Sequence, residues 1–346
     1  MSLTGPHGQE VRLAVVAEAF VDWTLPELLD WLTEAAPQVG AVELGTGGYA
    51  PQPHCDRRKL LADPEALRRW QGELDARGFT VAALNAWGNP LHPDRELAQR
   101  HDRDLRETIQ LAALLGVDRV VALAGCPPGA AGDHTPHFAA GGWLPYLEGI
   151  YDAQWERAVA PYWSALSEFA AREHPGVLIC IELHPGTPVY NVETFQRLAA
   201  LGRNLAANID PSHFFWQHMD TAAVVGALHD RIGHVHAKDV SFNAEVLAVS
   251  GLLDHRWPGP SSAVPWKFAT VGHGHDRGWW AQLMRQLQGT AVTAVAIEHE
   301  DPDHPARAGV PEAAVLLWDA LHSAGALPGS GSRPGGAPAA LKGVRP

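Results

Sequence analysis

A chain of 346 residues, 46% of them hydrophobic, can bury a substantial core, as two small domains or as one barrel of about 250 residues with insertions. Its formal net charge of −13 excludes a surface built for nucleic-acid backbones, though not an anionic small molecule in a locally basic pocket. Cys55, Cys126 and Cys180 have neither metal nor redox spacing, and no basic-then-apolar leader or membrane-length apolar run is present, so a cytoplasmic protein without membrane contact is expected.

Strand-like apolar runs alternate with helix-like stretches eight times. Residues 12–17 precede an amphipathic 25–36, 41–44 precede 64–77, 79–84 precede 94–115, and 119–123 precede 155–173. Then 177–182 lead into 192–201, 205–210 into 222–229, 232–236 into 278–288, and 292–298 into 312–323. Eight such units without an antiparallel hairpin predict an α/β chain with a single (β/α)8 TIM barrel over residues 1–326, rather than an open doubly wound sheet. No Gly-x-Gly-x-x-Gly follows the first strand, which argues against a dinucleotide site. Residues 327–346, rich in Gly, Ser, Pro and Ala, read as a disordered tail.

Two connections exceed the usual few residues. Residues 125–152 follow the fourth strand and carry Trp143, Tyr146 and Tyr151. Residues 237–277 follow the seventh and carry Asp254, His255, Trp257, Trp266 and the run Gly272 to Asp276. Such aromatic walls suit the apolar faces of sugars or flat aglycones. The plainer reading packs these rings onto the barrel or onto another subunit.

Four of the apolar runs close on an acid or a histidine: Glu182, Asp210, His236 and Glu298. A barrel strand that delivers a lone carboxylate or imidazole at its C-terminal end places it where α/β barrels do their chemistry. Singly, each fits a salt bridge or helix cap; together, in acid, acid, His, acid order, they read as one metal site. Three carboxylates and one imidazole suit Mn²⁺ above all, with Mg²⁺ or Co²⁺ as alternatives. An ion there would polarise a substrate carbonyl and leave Glu182 and Glu298, on strands across the pocket, to exchange a proton beside it.

Further candidates surround these four. His213 is expected near the substrate oxygens, against a packed loop histidine. Lys238 would hold a substrate oxygen or balance a carboxylate, the alternative being an ion pair with Asp239. His184 is a possible extra base, and Glu43 and Asn85 are weaker candidates for binding substrate hydroxyls. His273 and His275 would take part only if their loop folds inward. Glu300 reads as a solvated or outer-layer acid.

The motifs Ile-Glu-Leu-His-Pro at Glu182, Ile-Asp-Pro-Ser-His at Asp210, His-Val-His-Ala-Lys-Asp at His236 and Ile-Glu-His-Glu at Glu298 resemble the xylose-isomerase-like barrel superfamily. The resemblance spans roughly residues 10 to 325 and includes Val-Glu-Leu-Gly-Thr-Gly-Gly-Tyr at Glu43. It implies that Glu182, Asp210, His236 and Glu298 are metal ligands and that the two glutamates shuttle the proton. Tagatose and psicose epimerases, inosose isomerases and dehydratases, hydroxypyruvate isomerases and endonuclease IV share this superfamily. Acidic charge and the lack of extra ligands set the nuclease aside. The long loops and the Glu-Leu-His-Pro-Gly stretch also resemble larger sugar-phosphate-isomerase-like proteins and the catalytic subunit of C-glycoside deglycosidases. The expected activity is therefore a metal-dependent isomerase or epimerase of a sugar or cyclitol. The alternative is a lyase on 3-keto-glycosides or a dehydratase, and a third reading is a non-enzymatic sugar-binding protein. A homo-oligomer is expected, or a hetero-oligomer with a small β subunit for the deglycosidase reading.

Overall fold

In a computed structural model, residues 3–5, 10–141 and 144–323 are described. Trp143, expected in the aromatic loop, and the tail from residue 327 lie outside them. Eight parallel strands close into a barrel: β1 (Arg12–Val16), β2 (Ala41–Gly45), β3 (Thr80–Asn85), β4 (Arg119–Ala122), β5 (Leu178–Glu182), β6 (Leu205–Ile209), β7 (Ile232–Ala237) and β10 (Ala294–Ile297). Each pairs with its neighbours in sequence, and β10 lies between β7 and β1. The strands read as continuous apolar runs because parallel barrel strands are covered on both faces.

Helices on the outside supply the second layer. Leu25–Ala35 begins at a capping box formed by Thr24 and Glu27. Arg95–Leu115 starts at Asp94, which accepts from the backbone N–H of Glu96 and Leu97, and ends at Gly116 in the left-handed region with φ 71°. Trp155, Trp163 and Trp280 are fully buried between helices and barrel. Inside the barrel the residues are small, with Ala14, Ala41, Ala82, Ala294 and Ala296 in one buried group and Ala83, Val121, Cys180 and Ala206 in another. That leaves room for buried polar side chains on the same interior, among them Glu43, Arg119, Asn208, His234 and His236.

Several elements differ from the pattern read in the sequence. The connection after β7 does contain an antiparallel hairpin, β8 (Asp239–Phe242) paired with β9 (Trp266–Ala269). A short helix, Ala244–Ser250, follows β8. The helix expected from residue 155 begins at Ile150 and passes through a π-turn at Trp155–Val159 before Ala160–Glu173. Pro161 has no N–H to donate, and the wider turn just before it accommodates that loss. The last helix runs Ala306–Ser323 with Pro311 inside it, because Gly309, Val310, Ala313 and Ala314 are buried against the barrel on both sides of the proline. No helix among the described residues is long and apolar enough to cross a membrane.

Candidate metal centre

Glu182 ends β5, Asp210 follows β6, His236 lies in β7 and Glu298 follows β10, so all four stand at the C-terminal mouth of the barrel. One donor atom from each falls within 4.8 Å of the others. His236 Nδ1 is 2.9 Å from Glu298 Oε2 and 3.3 Å from Glu182 Oε2. Asp210 Oδ2 has Lys238 Nζ at 3.1 Å and His213 Nε2 at 3.3 Å, so three carboxylates crowd one imidazole with a single ammonium beside them. Carboxylates packed together out of water call for a further positive partner. One imidazole nitrogen and three carboxylates fit a divalent cation there.

The tautomer of His236 follows from what lies beneath it. Its Nε2 is 3.1 Å from both oxygens of Glu43, whose carboxylate also meets His234 Nε2 at 2.7 Å and accepts from Asn85 Nδ2 at 2.7 Å. A proton on Nε2 donated to Glu43 leaves Nδ1 free for the ion, the usual carboxylate–histidine–metal arrangement. Burial opposes the charge of Glu43, but His236 and His234 outweigh it and hold the carboxyl well below its ordinary range. Glu43 was expected on the substrate's hydroxyls; it is fully buried under the ring instead, and does not line the cavity. Glu43, His234 and His236 form a second acid–imidazole cluster in which the Glu43 carboxylate meets both Nε2 atoms, while His234 Nδ1 is buried without a partner.

Glu182 is held from both sides. Asn208 Nδ2 donates to its Oε2 at 3.2 Å, and His213 Nε2 is 3.0 Å from its Oε1. Burial raises the Glu182 carboxyl, yet His213 and His236 overcome that and lower it well below the ordinary value. Lys238 Nζ reaches Glu298 at 2.8 Å, Asp210 at 3.1 Å and Glu300 at 3.3 Å, over the face of Phe268. Its partner is therefore not Asp239. Burial against Lys238 and His236 leaves Glu298 ionised, its carboxyl lowered to about 2. Burial raises Asp210, with Lys238 and His213 opposing.

Above these residues opens a cavity of about 520 Å³, within the range of pockets that enclose drug-sized ligands. Asn85, Glu182, His184, His213, Lys238 and Glu300 all line it. His184 Nδ1 meets the Pro185 carbonyl, which assigns the proton to Nδ1 and leaves Nε2 as the free acceptor. Burial, then the charge of His213, pushes the His184 imidazolium down to about 4, so the ring is neutral near pH 7. Trp216, Trp257, Trp266 and Phe268 form one aromatic wall, with Trp266 stacked on Trp257 at 4.4 Å and on Trp216 at 5.1 Å. His273 and His275 are elsewhere: one meets Glu312 Oε2 at 3.1 Å, the other Asp239 Oδ1 at 2.7 Å.

Three buried or half-buried groups escaped the sequence reading. His234 and Asn208 each stand two residues before a named ligand, and in a strand such residues share its face. The alternation in His-Val-His and Asn-Ile-Asp was the available signal. Glu18 lies two residues past the end of β1 and also lines the cavity. Its signal was the match with His184, which lies two past the end of β5.

The chain matches the model of the xylose isomerase-like TIM barrel over residues 40–318. It belongs to that family. YfiH, an uncharacterised protein of Bacillus subtilis (strain 168), is 32% identical over 305 residues, which is 87% of this chain and 96% of that protein. A D-tagatose 3-epimerase-like protein superposes with a TM-score of 0.59 at 17% identity, over 90% of this chain and 98% of its own. A xylose isomerase-like TIM barrel protein from Mycobacterium smegmatis, in complex with magnesium, gives a TM-score of 0.58 at 13% identity, over 93% of this chain and 94% of its own. These two likenesses speak for the fold of the family member described here, and for nothing finer.

Proposed function

We propose that this family member is a divalent-metal-dependent isomerase or epimerase that moves a proton beside the carbonyl of a sugar or cyclitol. The observation that carries the reading is the convergence of Glu182, Asp210, His236 and Glu298 donor atoms within 4.8 Å of one another, three of these residues lining a substrate-sized cavity. The donor set suits Mn²⁺, Mg²⁺ or Co²⁺, and Mn²⁺ is the ion to try first. A bound ion would supply Lewis acidity at the substrate carbonyl and so acidify the neighbouring C–H. Glu182 and Glu298 would exchange that proton, with His184, whose imidazolium is pushed down to about 4, as a further base. His213, Asn85 and Lys238 would position the substrate's hydroxyls. The magnesium complex and the epimerase-like protein among the structural relatives agree with this reading.

A second reading rests on the tryptophan wall. Trp216, Trp257, Trp266 and Phe268 offer flat apolar surface that a free sugar leaves largely uncovered. A lyase acting on 3-keto-glycosides, with the aglycone on that wall and a small β subunit as partner, would use the same first proton transfer.

The test is proton NMR in D₂O, with Mn²⁺-loaded protein and D-fructose, D-tagatose, D-psicose and D-sorbose. Deuterium entering beside the carbonyl, and ceasing on chelation, is the expected result. Absence of exchange with all four ketoses would reject the isomerase reading and leave the keto-glycoside lyase.

A further inference from the structure

We propose that the substrate is an uncharged polyol, without phosphate or carboxylate, and that Glu18 and Glu300 are the specificity-determining residues that read its hydroxyls. The inference deepens the isomerase reading and rests on it, since that reading leaves free, phosphorylated and acidic sugars equally open.

Charge decides among the three. Among the described residues that line the cavity, Lys238 is the one Lys or Arg. It is already shared by Glu298 at 2.8 Å, Asp210 at 3.1 Å and Glu300 at 3.3 Å. Arg256 sits two residues beyond the lining residue Asp254, but its Nε and a terminal nitrogen both donate to that carboxylate. The lining histidines are engaged too: His236 on Glu43 and Glu298, His213 on Glu182, and His184 on the Pro185 carbonyl. A divalent ion and Lys238 would together match the charges of Glu182, Asp210 and Glu298, which leaves Glu18 and Glu300 as acids in excess. A phosphate or carboxylate entering here would give up its water and meet no free cation, a heavy penalty for a buried anion.

The same two acids have room for hydroxyls. β1 and β10 are neighbours in the ring; Glu18 lies two residues past the first and Glu300 three past the second, so both stand on one side of the mouth. Both line the cavity. A carboxylate offers about four acceptor positions. Glu18 has one fixed donor, Trp87 Nε1, which lies 3.2 Å from each of its oxygens. Gly45 confines its other flank, for a Cβ there would come within 3.4 Å of Glu18 Oε1. Glu300 is held by Lys238 alone, and its side chain is 48% exposed. Neighbouring hydroxyls of a polyol can fill the open acceptor positions, while the Trp87 indole, also on the cavity wall, offers apolar surface to the carbons between them. A phosphate dianion has no proton to donate to either acid, and neither acid supplies positive charge at any pH.

The test pairs each of the four ketohexoses with its 6-phosphate. It measures deuterium exchange in D₂O with Mn²⁺-loaded protein, and binding by titration calorimetry with Mg²⁺-loaded protein. The free sugar is expected to be preferred by at least about 100-fold, the scale set by burying an unpaired charge. E18A and E300A should each raise KM for the free sugar roughly 10–100-fold, the worth of a hydrogen bond to a charged group, with kcat changed far less. A Tm close to that of the wild type shows that each variant is folded. A 6-phosphate bound or converted as well as its free sugar would overturn the proposal, as would a wild-type KM in both alanine variants. Preferential binding of free sugars without any exchange would uphold the polyol class and remove the isomerase reading beneath it. Binding of neither form would overturn both.

Discussion

A fully buried carboxylate between two imidazoles is costly unless its charge does something, and Glu43 is such a group. Its hydrogen bond to His236 Nε2 sets which nitrogen faces Glu182 and Glu298, so it would act on an ion held there through the ring. An amide in its place could not accept from both histidines as an anion does. E43Q is therefore expected to bind Mn²⁺ about 10–100-fold more weakly, the usual cost of losing an outer-shell partner, with far-UV circular dichroism unchanged. Wild-type affinity in a titration calorimeter would show that His236 needs no such orienter. Cys180 illustrates the opposite case: burial pushes its thiol up to about 12, and it serves as a small barrel filler.

Elements, unlike single residues, place the loops over the pocket. The hairpin of β8 and β9 brings Trp266 and Phe268 to the cavity wall, and Asp239 at its start ties down the segment that follows. Asp239 Oδ2 accepts from the backbone N–H of Gly272, Gly274 and His275 at 3.0, 3.1 and 2.9 Å. Removing that carboxylate strands several donors, at about 1–3 kcal/mol for each one left buried. D239A should lower Tm and quicken amide hydrogen exchange at residues 272–275 above all. Unaltered exchange there would mean that the loop is held by its packing alone. The sequence reading foresaw a long connection here but not the hairpin, because a pattern of alternate residues cannot show which distant segment a short strand will pair with.

For the whole molecule, an ion held by Glu182, Asp210, His236 and Glu298 would link binding to folding. An ion that binds only the folded barrel, at a hundred-fold excess over its Kd, adds about 2.7 kcal/mol to stability. For a domain this large that raises Tm by roughly 5 °C, and chelation should reverse it. Differential scanning calorimetry with Mn²⁺, Mg²⁺ and Co²⁺ in turn would also rank the ions. A Tm indifferent to all three would count against the metal centre. The mouth of the barrel joins the four candidate ligands from four separate strands, so the proposed site requires the closed ring.

How much of this was legible beforehand depends on the range of the physics involved. The (β/α)8 architecture and the strand-end positions of Glu182, Asp210, His236 and Glu298 follow from local patterns: apolar runs, their spacing, and the polar residue that closes each. Their mutual approach within 4.8 Å is a property of barrel closure. Glu43 reads like a pocket residue in one dimension; only the inward neighbours His234 and His236 show that its carboxylate is already taken. Lys238 faces Asp239 in sequence, yet meets Glu298, Asp210 and Glu300 in space. Glu18, distant in sequence from every ligand, enters the site because β1 closes the ring beside β10. A sequence specifies which groups can titrate or coordinate, whereas burial and cross-barrel neighbours decide which of them keep a proton, lose it, or share it.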